Sequence, residues 1–204
     1  SQQTNDLLKM QMADYRQFVG ELVQLGDIMD KKFYAVIPYD PTTDTWTTRA
    51  SMPTSRFRLA VATASNGKVY AVGGDSARGV EVEEYDPGAN TWTTRTDMPT
   101  ARYGLGLAAA PNGKLYAIGG FKFNSYALDT VEEYDPATDT WTPRTRMPSA
   151  RGYLGVATAS NGRIYAVGGC LQSTCSPILA TVEEYDPATD TWTTRTNLPA
   201  VRYG

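Results

Sequence analysis

Residues 102–148 read RYGLGLAAAPNGKLYAIGGFKFNSYALDTVEEYDPATDTWTPRTRMP, and the same order recurs on both sides of that stretch. YDP begins at Tyr39, Tyr85, Tyr134 and Tyr185. Each of these tyrosines lies 17 residues before a repeated arginine: Arg56, Arg102, Arg151 and Arg202. Each of the first three arginines lies 18 residues before the second glycine of a pair: Gly74, Gly120 and Gly169. Only the step from that glycine to the next tyrosine varies, at 11, 14 and 16 residues. The periods of 46, 49 and 51 therefore differ in one loop alone. A fixed scaffold with one free loop per unit is the layout of a repeat protein that binds through its loops.

Each full unit reads as four strands. The first, over 59–64, 105–110 and 154–159, is rich in Gly, Ala and Val and ends at Asn66-Gly67, Asn112-Gly113 or Asn161-Gly162. Asn-Gly signals a tight hairpin, with both central residues of a type I′ turn at positive φ. The second strand, over 68–72, 114–118 and 163–167, is closed by the glycine pair. The third spans 82–85, 131–134 and 182–185, and a turn at Asp-Pro follows. The fourth carries Trp46, Trp92, Trp141 or Trp192 among threonines. Four antiparallel strands per unit of this length make a propeller blade, so the expected fold class is all-β. The small residues of the first strand suit the crowded inner position. The threonine-rich fourth strand suits the outer edge, where the Trp is expected to be a buried anchor between blades.

The order R…NGKxYAxGG…VEEYDP…TW…MP..R resembles the kelch repeat. Full units cover 56–99, 102–148 and 151–199, a partial unit covers 39–53, and 202–204 begins another, so the repeat region is 39–204. The resemblance implies a β-propeller fragment serving as a non-catalytic binding scaffold for a protein or glycan. An incomplete set of blades would leave open strand edges that invite self-association. Residues 1–38 do not repeat. Leu8, Met12, Tyr15, Val19 and Leu22 form one apolar helical stripe, so an amphipathic helix is expected over 5–29 and a short strand before Pro38. Residues 5–38 are similar to the start of TraC-like conjugation proteins of bacterial type IV secretion systems. That resemblance implies a component of a secretion apparatus and a cytoplasmic setting.

Composition narrows the chemistry. The 204 residues include no His, which removes His-based triads, His acid–base catalysis and His-ligated metal sites. No phosphate-binding GxxxxGK[ST] loop is present. A net charge of −3 argues against a nucleic-acid surface. No apolar run is long enough for a transmembrane helix. No cofactor, metal or catalytic constellation is expected. The enzyme alternative implied by the resemblance is a galactose-oxidase-like or sialic-acid-processing propeller. The copper oxidase needs His ligands, and the paired Glu of every third strand read as structural.

Residues that differ between repeats are where function is sought. The loops after the glycine pairs carry Asp75 and Arg78; Phe121, Lys122, Phe123 and Tyr126; and Cys170, Leu171, Gln172 and Cys175. The aromatic run of the second loop reads either as a binding hot spot or as packing onto the neighbouring blade. By the kelch resemblance, the residue after each glycine pair and the residue two past each repeated Arg face the partner. These are Asp75, Phe121 and Cys170, and Arg58, Gly104 and Tyr153, with Tyr103 beside them. Cys170 and Cys175 either form a disulfide, implying a secreted or cell-surface setting, or remain two thiols. The repeated Arg is expected to bond a carbonyl or a Glu of a third strand, Glu83, Glu132 or Glu183.

Overall fold

A computed structural model of the chain describes residues 39–40, 43–123 and 126–202. The helix expected over 5–29 and the strand before Pro38 lie outside the described residues. The chain divides into two compact units, residues 1–55 and 56–204. In the first, β1 (Tyr39–Asp40) pairs antiparallel with β2 (Thr45–Trp46). The second holds three four-stranded antiparallel sheets. These are β3 (Ala60–Thr63), β4 (Val69–Val72), β5 (Val82–Asp86) and β6 (Thr91–Arg95); β7 (Gly106–Ala109), β8 (Leu115–Ile118), β9 (Val131–Asp135) and β10 (Thr140–Arg144); and β11 (Gly155–Thr158), β12 (Ile164–Val167), β13 (Val182–Asp186) and β14 (Thr191–Arg195). Sequence neighbours pair throughout each sheet, with no crossover.

The first strands stand side by side, β3 against β7 and β7 against β11. Thr158 Oγ1 donates to the Ala109 carbonyl at 2.6 Å across that approach. A Cβ on Gly106 would lie 2.0 Å from Val156 Cγ2, so the inner strand has no room for a larger residue there. Two cores form between the sheets. Tyr70, Val72 and Met98 of the first blade meet Leu105, Leu115 and Tyr134 of the second. Tyr116, Ile118 and Met147 of the second meet Leu154, Ile164 and Tyr185 of the third. Tyr70 and Tyr134 tilt against each other at 5.7 Å between ring centres, as do Tyr116 and Tyr185 at 5.5 Å.

The Asn-Gly hairpins differ from the expected type I′ turn. Only Gly67, Gly113 and Gly162 have positive φ, and the preceding Asn does not. Gly67 N–H bonds the Ala64 carbonyl at 3.0 Å and closes a four-residue turn whose last residue is left-handed. Asn66 supports the bend instead: its Oδ1 accepts from Lys68 N–H at 3.0 Å, and its Nδ2 donates to the Tyr70 hydroxyl. Asn112 repeats both contacts.

The repeated Arg joins blades by its backbone and organises its own blade by its side chain. Arg102 N–H donates to Gly79 of the preceding blade's loop, and its carbonyl accepts from Gly74 N–H, each at 3.0 Å. Its guanidinium reaches into the second blade, to Glu132 Oε2 at 2.8 Å and to the carbonyls of Ala117 and Thr130 at 3.1 and 2.9 Å. Arg56 pairs with Glu83 and Arg151 with Glu183, each at 2.9 Å. Both also donate to a second-strand carbonyl, Ala71 or Ala166. Burial pushes the Arg102 guanidinium down to about 10, against the pull of Glu132. It remains charged at neutral pH. The glycine pair exists because of this Arg: a Cβ on Gly119 would lie 2.4 Å from the Arg151 carbonyl, and Gly119 has φ +63°.

A second clamp works at the outer edge. Asp139 Oδ1 accepts from Thr96 N–H at 2.9 Å, and Trp141 Nε1 donates to the Thr96 carbonyl at 3.0 Å. Asp190 and Trp192 grip Thr145 in the same way, at 2.9 Å for each bond. Each Trp also stacks on the Tyr opposite it in its own sheet at 5.0 Å. Trp92, Trp141 and Trp192 are half-buried rather than buried, because β6, β10 and β14 are the outermost strands.

Three outcomes follow for stability. Arg102→Ala strands a buried carboxylate and is expected to cost about 3–5 kcal/mol in chemical denaturation; a loss below about 1 kcal/mol would show that the buried pair is dispensable. Trp141→Ala loses one clamp bond and a half-buried ring, so its expected cost is about 2 kcal/mol, under the range of roughly 3–5 for a fully buried aromatic. The third concerns acid. Arg195 and Tyr165 hold Glu184 down to about 2. For Glu84, Asp139 and Asp190, burial works to raise the carboxyl, but hydrogen bonds from Arg95 and Tyr70, from Tyr134 and Thr96, and from Tyr185 and Thr145 outweigh it and lower it. A depressed folded-state pKa stabilises fully above the unfolded value of about 4 and fades as pH falls through the folded value. The melting temperature should therefore hold from pH 5 to pH 8 and drop between about pH 4 and pH 2. Asp139→Asn should shallow the drop, since Asn90 already fills that place in the first blade. A melting temperature unchanged at pH 3 would contradict the assignment.

Candidate functional site at the loop face

The residues after the glycine pairs meet the residues after the repeated arginines on one face. Phe57 pairs with Asp75, Tyr103 with Phe121 and Gly152 with Cys170 as isolated antiparallel bridges. The next residues, Arg58, Gly104 and Tyr153, all adopt left-handed backbone, at φ +55°, +60° and +50°. They are tied in series: Gly104 N–H donates to the Arg58 carbonyl and Tyr153 N–H to the Gly104 carbonyl, each at 2.8 Å. Left-handed geometry is uncommon for a residue with a side chain and is a genuine outlier for a bulky one. Two of the three positions nevertheless carry large side chains.

Those side chains converge. The Arg58 guanidinium lies 5.1, 5.5 and 5.6 Å from the ring centres of Phe57, Tyr103 and Tyr153, within cation–π range of all three. Its charge faces the Asp75 carboxylate at 4.0 Å. Tyr153 crosses from the third blade over Gly104, where a Cβ would sit 2.7 Å from its ring. The Tyr153 hydroxyl is buried and has no hydrogen-bond partner among the described residues. Burial raises its pKa, while Arg58 pulls the other way.

Phe121 does not face outward as the resemblance implied. It is 0 % exposed, packed 5.0 Å from Tyr153 and 5.8 Å from Tyr103 between ring centres. The reason is Gly152, whose missing Cβ would lie 2.2 Å from the Phe121 ring. Tyr103 and Cys170 are buried as well. Phe123 is 48 % exposed and leans across Gly79 of the first blade's loop, 5.7 Å from Tyr103. Tyr126, at 71 % exposed, bridges to Gln172 of the third blade's loop. Lys122, Leu171 and Gln172 are exposed around them. Arg78 lies outside this group, paired with Asp97.

Phe57 is a member that the sequence reading missed. It is 48 % exposed and forms one wall of the Arg58 cage. The signal was present: Phe57 stands one past the repeated Arg, the same place as Tyr103. In the third loop the sulfurs of Cys170 and Cys175 are bonded. Among the described residues no cluster of three or more His, Cys, Asp or Glu is placed to hold a metal ion, and no helix is long and apolar enough to cross a membrane.

The kelch-motif family model matches residues 56–99, 105–148 and 151–199, the three four-stranded sheets. The chain belongs to the kelch family. Kelch repeats generally serve as protein-interaction modules. No curated protein matches the chain. The family match begins its second unit at Leu105 rather than Arg102, so Tyr103 and Gly104 fall in the join between two units. The matched ranges contain the blades together with the loops that follow the glycine pairs.

Proposed function

We propose that this kelch region is a non-catalytic module that binds a protein partner on the face built from Phe57, Arg58, Phe123, Tyr126, Leu171 and Gln172. The observation that carries the reading is the left-handed backbone at Arg58 and Tyr153. Each position costs of order 1–3 kcal/mol in strain, and such strain persists where the surroundings over-determine it, as at active sites, ligand clamps and switch regions. The repeat itself does not require a side chain there, since Gly104 fills the equivalent place without one. Strain that the scaffold does not need supports a role for the side chains it displays.

The exposed rings support the same reading. Phe57, Phe123 and Tyr126 each leave roughly half or more of their surface to solvent. Phe57 is one of the three rings, with Tyr103 and Tyr153, that hold the Arg58 guanidinium, and Phe123 packs against Tyr103; aromatic residues with Arg are enriched among binding hot spots. Arg58 is matched by Asp75, which favours a partner surface that is mixed and apolar over a purely acidic one.

The test is selection of binding peptides from a displayed random library against the folded chain. Phe123→Ala is expected to weaken the recovered peptides by more than about 1 kcal/mol. The melting temperature should barely change. Phe121→Ala should instead lower the melting temperature, because that ring is core. Peptides indifferent to both Phe123 and Arg58 would place binding elsewhere.

A further inference from the structure

The third loop is anchored to the scaffold at both ends, and Cys170 also bridges Ile178 across its base. Cys170 has no exposed surface, and both its backbone groups bond Gly152, at 2.9 and 3.0 Å. Leu179 N–H donates to the Gly169 carbonyl at 2.8 Å and closes the far side of the loop. Between these anchors the loop makes local backbone bonds: Leu171 N–H to the Pro177 carbonyl at 3.3 Å and Cys175 N–H to the Gln172 carbonyl at 2.8 Å. Cys175 is half-buried and left-handed, at φ +56°. The bond from Cys175 to Cys170 is therefore the cross-link that holds the middle of residues 171–176 against the anchored Cys170. The same segment carries Gln172, whose bridge to Tyr126 joins the third loop to the second.

We propose that the Cys170–Cys175 bond is a redox latch on the third blade's side of the loop face. Reduction by a dithiol frees residues 171–176 and dissolves the Tyr126–Gln172 bridge, while the blades stay folded. The meaning of the latch for binding rests on the reading of this face as the partner surface. A thiolate of the dithiol attacks Cys175 Sγ, the more exposed sulfur. The S–S bond breaks, and Cys170 leaves as a thiolate and takes up a proton. The second thiol of the reductant, deprotonated, then attacks the mixed disulfide and releases Cys175, which is protonated in turn. Two electrons and two protons reach the cysteines, and the dithiol ends as a disulfide.

The blades survive this step for two reasons. The ring closed by the bond is short, and cross-links across short loops constrain the unfolded chain least. Cys170 also keeps its backbone bonds with Gly152, which do not involve sulfur. Oxidised, the chain presents Tyr126, Leu171 and Gln172 as one surface across two blades. Reduced, it loses the third blade's part of that surface and keeps the residues of the first and second blades.

Amide hydrogen exchange of the full chain, with and without dithiothreitol, tests the latch. Thiol titration confirms that reduction is complete. Exchange over 171–176 should accelerate at least tenfold, with Gly152, β12 and β13 unchanged. Cys175→Ser should show the fast loop without reductant and no response to dithiothreitol. Unchanged loop exchange in the fully reduced protein would overturn the proposal. So would acceleration spread through β11–β14, or a bond that resists dithiothreitol in the folded protein. The readout needs no partner, so a failed peptide selection and a failed latch are told apart.

Discussion

A buried guanidinium holds this scaffold together. A charge out of water costs several kcal/mol unless its donors are met, and the pair is retained only where geometry is good. Here the donors of Arg102 reach the second and third strands of its own blade together with the carbonyl of Thr130. That geometry is attainable only if the chain enters the blade at one fixed point. The entry point is set by the previous blade, through the bonds of Arg102 to Gly74 and Gly79. One residue thus reads the position of one blade and dictates the position of the next. The first Gly of each pair follows from that, because the incoming carbonyl occupies the space where a side chain would begin. So does the rigidity of the 18-residue step, which spans the distance from one such contact to the next.

The outer clamp adds what the buried Arg cannot. Arg and Gly act near the loop face, whereas Asp139 with Trp141 and Asp190 with Trp192 act at the far edge of each sheet. Two attachment lines, one on either side of the apolar core, fix the angle between blades as well as their separation. The asymmetry between them is chemical. The inner line uses a charge that must stay buried, and the outer line uses a carboxylate and an indole that are partly wet.

The scaffold was legible in the sequence because every unit must solve the same geometric problem with the same residues. The fixed spacings, the small first strand, the glycine pair and the partnership of Arg with Glu132 all repeat, and each has one physical reading. What was not legible depends on residues that do not repeat. The burial of Phe121 is decided by Gly152, which belongs to the next unit and leaves the space that the ring fills. The second loop by itself allows both an outward hot spot and packing onto the neighbouring blade, and only Gly152 chooses between them for this ring. The Asn-Gly hairpins were misjudged for a different reason. The dipeptide fits two turn geometries, and the side-chain bonds of Asn66 to Lys68 and Tyr70 select the one in which only the glycine is left-handed. The half-exposure of Trp141 follows from its strand lying at the sheet edge, a fact of topology that strand composition alone only hints at.

These two kinds of residue also divide the labour of the molecule. The series Arg58, Gly104 and Tyr153 shows where the division runs. Their backbones repeat, with the same sign of φ and the same 2.8 Å bonds, so they belong to the scaffold. Their side chains do not repeat, and they differ as widely as a guanidinium, nothing and a phenol. Gly104 lets Tyr153 lie across the second blade, and Tyr153 in turn walls the cage that holds Arg58. A substitution at any one of the three therefore alters the surface at the other two while leaving the blades in place. A ring of positions whose backbones are fixed and whose side chains are coupled can change what it binds without disturbing the Arg–Glu pairs beneath it.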